Sequence, residues 1–386
     1  MGEKLDGILV FLDLSTPAPA TSTSAPVSST LSPVLGSNIA TGGQHNCAID
    51  EDIHALWCWG MSNFGQLGNG NISYLTPTQI ILENGATQVS LGYGFSCIID
   101  TLSKVWCWGA NHSGQLGNGD NSSLSTPNKV TLDNNAATIS LGGFHACIID
   151  NLFKLFCWGA NNFGKLGTGD TSNSNTPMEI ALDNKAAQVQ LGLHHTCIID
   201  TTSKIWCWGS NFKGQLGTED TSHRNTPTKI TLEKDAAQIS LGDWHTCMVD
   251  TLSKIYCWGN NYSGQLGVGD NNNRFTPTLL QIGLNDNNVY GISLGWKHSC
   301  IIDTQSKIWC WGENKVGELG NGSGPNTKTP TELMFSNDAA QISLCGSHSC
   351  IIDNDDTIWC WGNNENGQLG DGGKTDRDKP TFISGI

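Results

Sequence analysis

The chain has 386 residues, including 46 Gly, with only 14% charged residues, a formal net charge of −15 and a sequence pI near 4.9. That acidic balance excludes a general phosphate-neutralising surface for nucleic acid or anionic lipid, and no run of Lys or Arg supplies a local one. A glycine-rich, charge-poor composition fits an all-β protein with many short connections.

The longest apolar stretch, GILVFLDL at residues 7–14, is too short to cross a membrane and contains Asp13. Glu3 and Asp6 beside Lys4 also make it a poor signal peptide. The Ser/Thr/Pro/Ala tract that follows, to about Pro33, has no packing face, so residues 1–34 are expected to be a disordered N-terminal segment and linker.

From residue 37 onward a unit of about 50 residues recurs seven times, near 37–86, 87–136, 137–186, 187–236, 237–288, 289–339 and 340–386. Its Trp-Gly pairs begin at Trp59, Trp108, Trp158, Trp208, Trp258, Trp311 and Trp361, and a fixed period of this size means a propeller or solenoid. In the third copy TISLG, HACIID, KLFCWG and TPMEIAL are four short β-rich runs separated by turn residues. Four strands taken seven times give an all-β chain: a seven-bladed β-propeller of four-stranded antiparallel blades covering residues 35–386. The last copy ends in KPTFISGI, which matches the Thr-Pro strand of the others, so the C-terminal strand near Phe382 is expected beside the first blade.

The second and third strands form a hairpin. With Cys147 opposite Cys157, Ile148 faces Phe156, Ile149 faces Leu155 and Asp150 faces Lys154, leaving a three-residue loop. The first copy has one more residue between its cysteines and one more in its turn, EDIH, so its pair stays in register. The recurring Asp and Lys of this turn read as a turn-initiating Asp with a weak surface ion pair.

Fourteen of the 15 cysteines thus fall into opposed pairs: Cys47–Cys58, Cys97–Cys107, Cys147–Cys157, Cys197–Cys207, Cys247–Cys257, Cys300–Cys310 and Cys350–Cys360, with Cys345 left over. Opposed antiparallel positions suit disulfides and an oxidising compartment. Buried reduced thiols are the second reading, and a His-plus-two-Cys metal site per blade is the third. Five sequons, at Asn71, Asn111, Asn121, Asn261 and Asn321, lie in the polar loops.

A His precedes the first Cys by two residues in six copies, and Phe95 stands there in the second. Repetition at one structural position suits a hydrogen-bonded turn residue, because catalysis needs dissimilar groups converging at one place. The chain carries no Gly-Lys-Ser/Thr phosphate loop, Gly-x-Ser-x-Gly elbow or metalloprotease helix. The expectation is therefore no enzyme activity, no cofactor and no metal.

The pattern L-G-x-x-H-x-C, then W-C-W-G-x-N-x-x-G-Q-L-G-x-G-D, then T-P, resembles the Regulator of Chromosome Condensation repeat over residues 37–386. The resemblance implies the seven-bladed propeller, and through the founding member it implies guanine-nucleotide exchange on a Ran-like GTPase. That member acts through an inserted hairpin wedge and a basic tail; here the one notable insertion, near residues 283–291, adds three residues. The paired cysteines look more like those of secreted bacterial members, in which such a ring serves as a binding face.

Comparing the seven copies separates scaffold from variable surface. Between the Gly and His of the first turn stand Gly43 and Gln44, Tyr93 and Gly94, Gly143 and Phe144, Leu193 and His194, Asp243 and Trp244, Trp296 and Lys297. These turns open on one end of the ring, where aromatic anchors among polar groups suit protein recognition. The candidate partner-binding residues are Tyr93, Phe95, Phe144, His194, Trp244, Trp296 and Lys297. The sequence is read as a monomeric, non-enzymatic protein-binding scaffold, extracellular, periplasmic or at the cell surface, with no nucleic-acid partner and no membrane insertion. A cytoplasmic regulator of a small GTPase is the alternative, and a small-ligand or carbohydrate binder at the channel mouth is a third.

Overall fold

The computed structural model describes residues 38–386 except 233 and 283–288. The expected N-terminal linker lies outside these residues, as does most of the insertion near 283–291.

The described residues form seven four-stranded antiparallel sheets, each built from four consecutive strands. In blade 3 these are Ala136–Leu141, His145–Asp150, Leu155–Gly159 and Ser174–Glu179. First strands of successive blades touch one another around a cycle, and that of blade 7, Ala339–Cys345, touches that of blade 1, Ile39–Thr41. The ring is therefore closed, with first strands innermost. The C-terminal strand, Arg377–Ile383, is the outer strand of blade 7, and Ile383 packs with Ile39, Ala48 and Trp59 of blade 1 as the sequence implied.

Hairpin register matches the cysteine spacing. Cys147 faces Cys157, Ile148 faces Phe156 and Ile149 faces Leu155, while Cys47 faces Cys58 across the longer first turn. All seven pairs are disulfides with Cα atoms 4.1 or 4.2 Å apart, a separation typical of non-hydrogen-bonded antiparallel positions. The turn aspartate acts locally: Asp100 Oδ1 accepts the N–H groups of Leu102 and Lys104, and its Oδ2 accepts Trp106 Nε1–H at 2.9 Å. Lys154 and Lys204 reach other carboxylates, Glu179 and Asp235, and Lys104 donates to the Asn135 amide oxygen.

Apolar clusters sit at the seams between blades rather than within a single blade. Cys147, Ile149, Leu155 and Cys157 of blade 3, for example, pack with Val189, Ile198 and Trp208 of blade 4. The tryptophan before Gly is fully buried in every blade. At 150–250 Å² each, such a side chain contributes roughly 4–6 kcal/mol of apolar transfer free energy.

Each buried indole also donates to the preceding blade. Trp208 Nε1–H reaches the Lys165 carbonyl at 2.9 Å, and Thr196 Oγ1–H reaches the same oxygen at 2.8 Å. The glycine two residues later packs flat on the ring: a Cβ at Gly117 would lie 2.7 Å from Trp158 Nε1. That close approach explains the Gly after Gln-Leu.

Behind the hydroxyl stands the recurring histidine of the previous blade. His145 Nε2 lies 2.9 Å from Thr196 Oγ1, and the same contact joins His45 to Ser96, His195 to Thr246, His245 to Ser299 and His298 to Ser349. At the closing seam Asn46 takes the hydroxyl's place, accepting from His348 at 2.7 Å and donating to the Gln368 carbonyl at 2.7 Å. Because the hydroxyl proton goes to a carbonyl, each histidine must donate from Nε2, and burial, which lowers the pKa of each, keeps it neutral. Phe95 replaces the histidine in blade 2, and Ala146 replaces the hydroxyl residue facing it in blade 3. Both are fully buried, so an apolar pair substitutes for a polar one.

Two predictions follow from this relay. Phe95→His alone buries an imidazole N–H against the Ala146 methyl and should destabilise the protein by about 1–3 kcal/mol. Adding Ala146→Ser should recover most of that loss, so a double-mutant cycle measured by chemical denaturation should show favourable coupling. Burial lowers the pKa of His45, His195, His245, His298 and His348 to about 3 from 6.5. The unfolded chain takes up these protons below about pH 6.5 and the folded chain only near pH 3. Unfolding free energy should therefore gain nothing from these groups' titration above pH 6.5 and fall through that window, by up to about 1.4 kcal/mol per pH unit per histidine. Denaturation curves across pH 4–8 measure this.

Candidate functional site

The variable turns lie at one end of the ring together with the loops between third and fourth strands. Backbone hydrogen bonds join the two sets: Ala160 N to Phe144 O, Ser210 N to His194 O and Asn260 N to Trp244 O. In six blades the loop is knotted from inside by an Asn, and in blade 1 Ser62 stands there and accepts Leu67 N–H. Asn111 Oδ1 accepts Leu116 N–H, and its Nδ2 donates to the Asp120 carbonyl; Asn261 makes the same bonds. Both are fully buried, so two of the five sequons sit where no glycan can stand on the folded chain, whereas Asn71, Asn121 and Asn321 are exposed.

The structure sorts the expected face residues into two groups. Tyr93 of blade 2 stacks on Trp296 of blade 6, with ring centroids 5.8 Å apart at 11°, and its other neighbour is Phe144 at 5.7 Å. Blades 2 and 6 are nearly opposite in the ring, so this stack bridges the axis. Tyr93 and Trp296 are half-buried and Phe144 is exposed. Lys297 is exposed and lies 3.7 Å from Glu313. Near this group burial pushes the Asp243 carboxyl up to about 8, against the pull of the Lys297 charge, and burial followed by the Asp243 charge raises the Cys345 thiol to about 12.

The second group centres on His194 and Trp244, 4.6 Å apart. Phe163, Phe212 and His223 complete it: Phe163 lies 5.2 Å from Phe212 and 6.1 Å from His194, and Phe212 lies 4.3 Å from His223 and 6.4 Å from Trp244. Inspection of the first turns alone misses these three residues, because they belong to the other loop set. Their signal is the same: aromatics at loop positions that differ from copy to copy. Phe95 does not belong to either group. It has no exposed surface and fills the core position of the absent histidine, which corrects its assignment to the face.

One substitution sets this second group apart. Where five copies have Gln in the Gly-Gln-Leu-Gly loop, its Oε1 accepts the N–H two residues earlier, as Gln66 does from Phe64 and Gln215 from Lys213, each at 2.9 Å. Glu318 does the same for Val316 N–H at 2.9 Å. Blade 3 has Lys165, which can only donate. Phe163 has no such acceptor, and its backbone is left-handed with φ of 67°, a costly state for a bulky residue. Lys165 itself is 2% exposed, and its Nζ reaches the Leu193 carbonyl at 3.5 Å. Burial lowers its pKa to about 8, and burial together with the Lys165 charge lowers that of His194 to about 4.

Among the described residues, no group of three or more His, Cys, Asp or Glu side chains is placed to hold a metal ion, and no helix is long and apolar enough to cross a membrane.

A closed ring of seven four-stranded blades with disulfide-linked hairpins defines a repeat propeller. The RCC1-like domain matches residues 104–386, and models of the Regulator of chromosome condensation (RCC1) repeat match residues 54–99, 37–66 and 86–115. The chain belongs to this family. Its fold is similar to that of human WBSCR16, with a TM-score of 0.77 and 21% identity over 86% of this chain and 94% of that one. Prp20p from Saccharomyces cerevisiae, in a study of its binding to Gsp1p and histones, gives 0.78 and 20% over 85% of each chain. A stretch of 53 residues is 34% identical to the human probable E3 ubiquitin-protein ligase HERC4, covering 14% of this chain and 5% of the ligase.

Restoring the repeat residue tests the account of blade 3. Lys165→Gln should stabilise the protein by about 1–2 kcal/mol, since it removes a buried ammonium and supplies the missing acceptor for Phe163 N–H. The gain should be largest below pH 8. It should shrink between pH 8 and 10.5, where folded wild-type Lys165 is already neutral while the unfolded chain still holds the proton. Paired denaturation curves at pH 7 and pH 10 give the comparison.

Proposed function

We propose that this chain is a non-enzymatic protein-binding scaffold of an oxidising, extracytoplasmic compartment, and that its partner docks on the end of the ring carrying the variable turns. The observation that carries the proposal is the contrast between the two parts of each repeat. Strands, disulfides and inter-blade relay recur from blade to blade, while the aromatics gathered at one end do not repeat. Aromatic side chains supply large contact area at low entropic cost, and clusters of them with polar neighbours are the usual anchors of protein interfaces.

The Tyr93–Trp296 stack spans the axial mouth, which favours a broad partner over a small ligand or sugar entering the channel. Seven disulfides at fixed hairpin positions support the extracytoplasmic setting. Prp20p binds proteins, Gsp1p and histones among them, which supports a binding role for the fold and leaves the partner of this chain to be found.

The test is cross-linked capture of partners from the native extracellular or surface fraction, followed by affinity measurement with the purified partner. Trp244→Ala and Trp296→Ala should each keep all seven disulfides and the wild-type unfolding curve, and at least one should weaken binding by about 2 kcal/mol, roughly thirtyfold. Wild-type affinity in both variants would contradict the assignment of the face.

A further inference from the structure

In a chain with net charge −15, Lys165 is a cation without a carboxylate neighbour among the described residues. The side chain is 98% buried by its 2% exposure, and the one hydrogen bond of its Nζ is the long contact to the Leu193 carbonyl. Its neighbouring titratable groups are His145 and His194, both with lowered pKa values and hence neutral, so neither supplies a counter-charge. Buried charges are ordinarily paired, and an unpaired one is a strongly unfavourable arrangement. Two residues earlier the loop holds Phe163 at positive φ, and the Leu193 carbonyl that Nζ reaches precedes His194, whose ring forms an aromatic wall with those of Phe163, Phe212 and Trp244.

The geometry points to a recognition site for an acidic side chain flanked by an apolar one: we propose that a partner's carboxylate approaches the Lys165 ammonium while its apolar neighbour packs on the Phe163, Phe212 and Trp244 rings. The substitution of Lys for the repeat's Gln does two things at once. It places an uncompensated cation under the surface and removes the acceptor that the loop usually offers to the residue at position 163, whose ring packs in the wall. A carboxylate arriving there forms a charge-assisted hydrogen bond in a partly desolvated site, where such bonds are strongest. This assignment rests on the protein-binding reading for its biological partner, but the site itself is testable without one.

The probe pair is phenylacetate and 2-phenylethanol, which share the aromatic ring and differ in the carboxylate. Binding to the full chain is followed by NMR chemical-shift changes of the Trp244 indole and of Lys165. The expected result is at least tenfold tighter binding of phenylacetate than of 2-phenylethanol, with shifts confined to blades 3–5. In Lys165→Met, which keeps the side-chain volume, that preference should vanish while 2-phenylethanol still binds; retained disulfides and a cooperative unfolding transition no less stable than that of the wild type establish that the variant is folded. Equal binding of the two probes to the wild-type chain, an unchanged preference in Lys165→Met, or shifts centred on other blades would overturn the proposal. Equal binding of the two probes to the wild-type chain, with partner capture still sensitive to Trp244, would remove this site alone. Insensitivity of capture to both tryptophans would remove the broader reading and leave the carboxylate site standing.

Discussion

Neighbouring blades are tied together through a single backbone carbonyl, that of the residue before Leu-Gly in each third-to-fourth-strand loop. It accepts the buried indole N–H of the next blade in all seven seams, and in five of them it also accepts a Ser or Thr hydroxyl. The histidine behind the hydroxyl fixes the direction of both protons. The carbonyl, the indole N–H, the hydroxyl and the histidine Nε2–H are buried and satisfy one another, and a break at any one of them would strand a polar group away from water. The ring therefore closes as a set of interlocked seams, and at the final seam Asn46 performs both roles of the hydroxyl with its two amide atoms.

Much of this was legible in the sequence because each blade repeats the same local problem. The period, the strand pattern and the opposed cysteines all follow from spacing, and the longer first turn accommodated its extra residue as the spacing required. The histidines were legible as structural, but their partners were not, because the hydroxyl lies about 51 residues away in the next blade. Phe95 shows the same limit. Read within its own turn it looks like an exposed aromatic; read with Ala146 across the seam it is a core replacement. Likewise Phe163 and Phe212 join His194 and Trp244 only once the two loop sets are folded onto one end of the ring.

The division of labour between scaffold and face has an energetic basis. Each hairpin disulfide closes a short loop, and in the chain-entropy model such a crosslink contributes roughly 2.5–3 kcal/mol through the unfolded state. Stability so widely distributed lets the exposed end carry unfavourable features, such as a phenylalanine at positive φ, a buried lysine without a counter-ion and a carboxyl pushed up to about 8 at Asp243. The lysine and the aspartate fall in the variable turns and loops. Positive φ is not confined to that end, since Phe153 and the equivalent hairpin-turn residue of every other blade also adopt it.

The account depends on the hairpin cysteines being oxidised where the protein works. The direct measurement is the intact mass of the protein from its native host, denatured and alkylated before and after reduction. Seven disulfides leave one alkylated thiol, Cys345, before reduction and fifteen after it. Fifteen alkylated thiols without reduction would contradict this: the opposed cysteines would then be reduced core residues, and the proposal of an extracytoplasmic setting would fall with the disulfides.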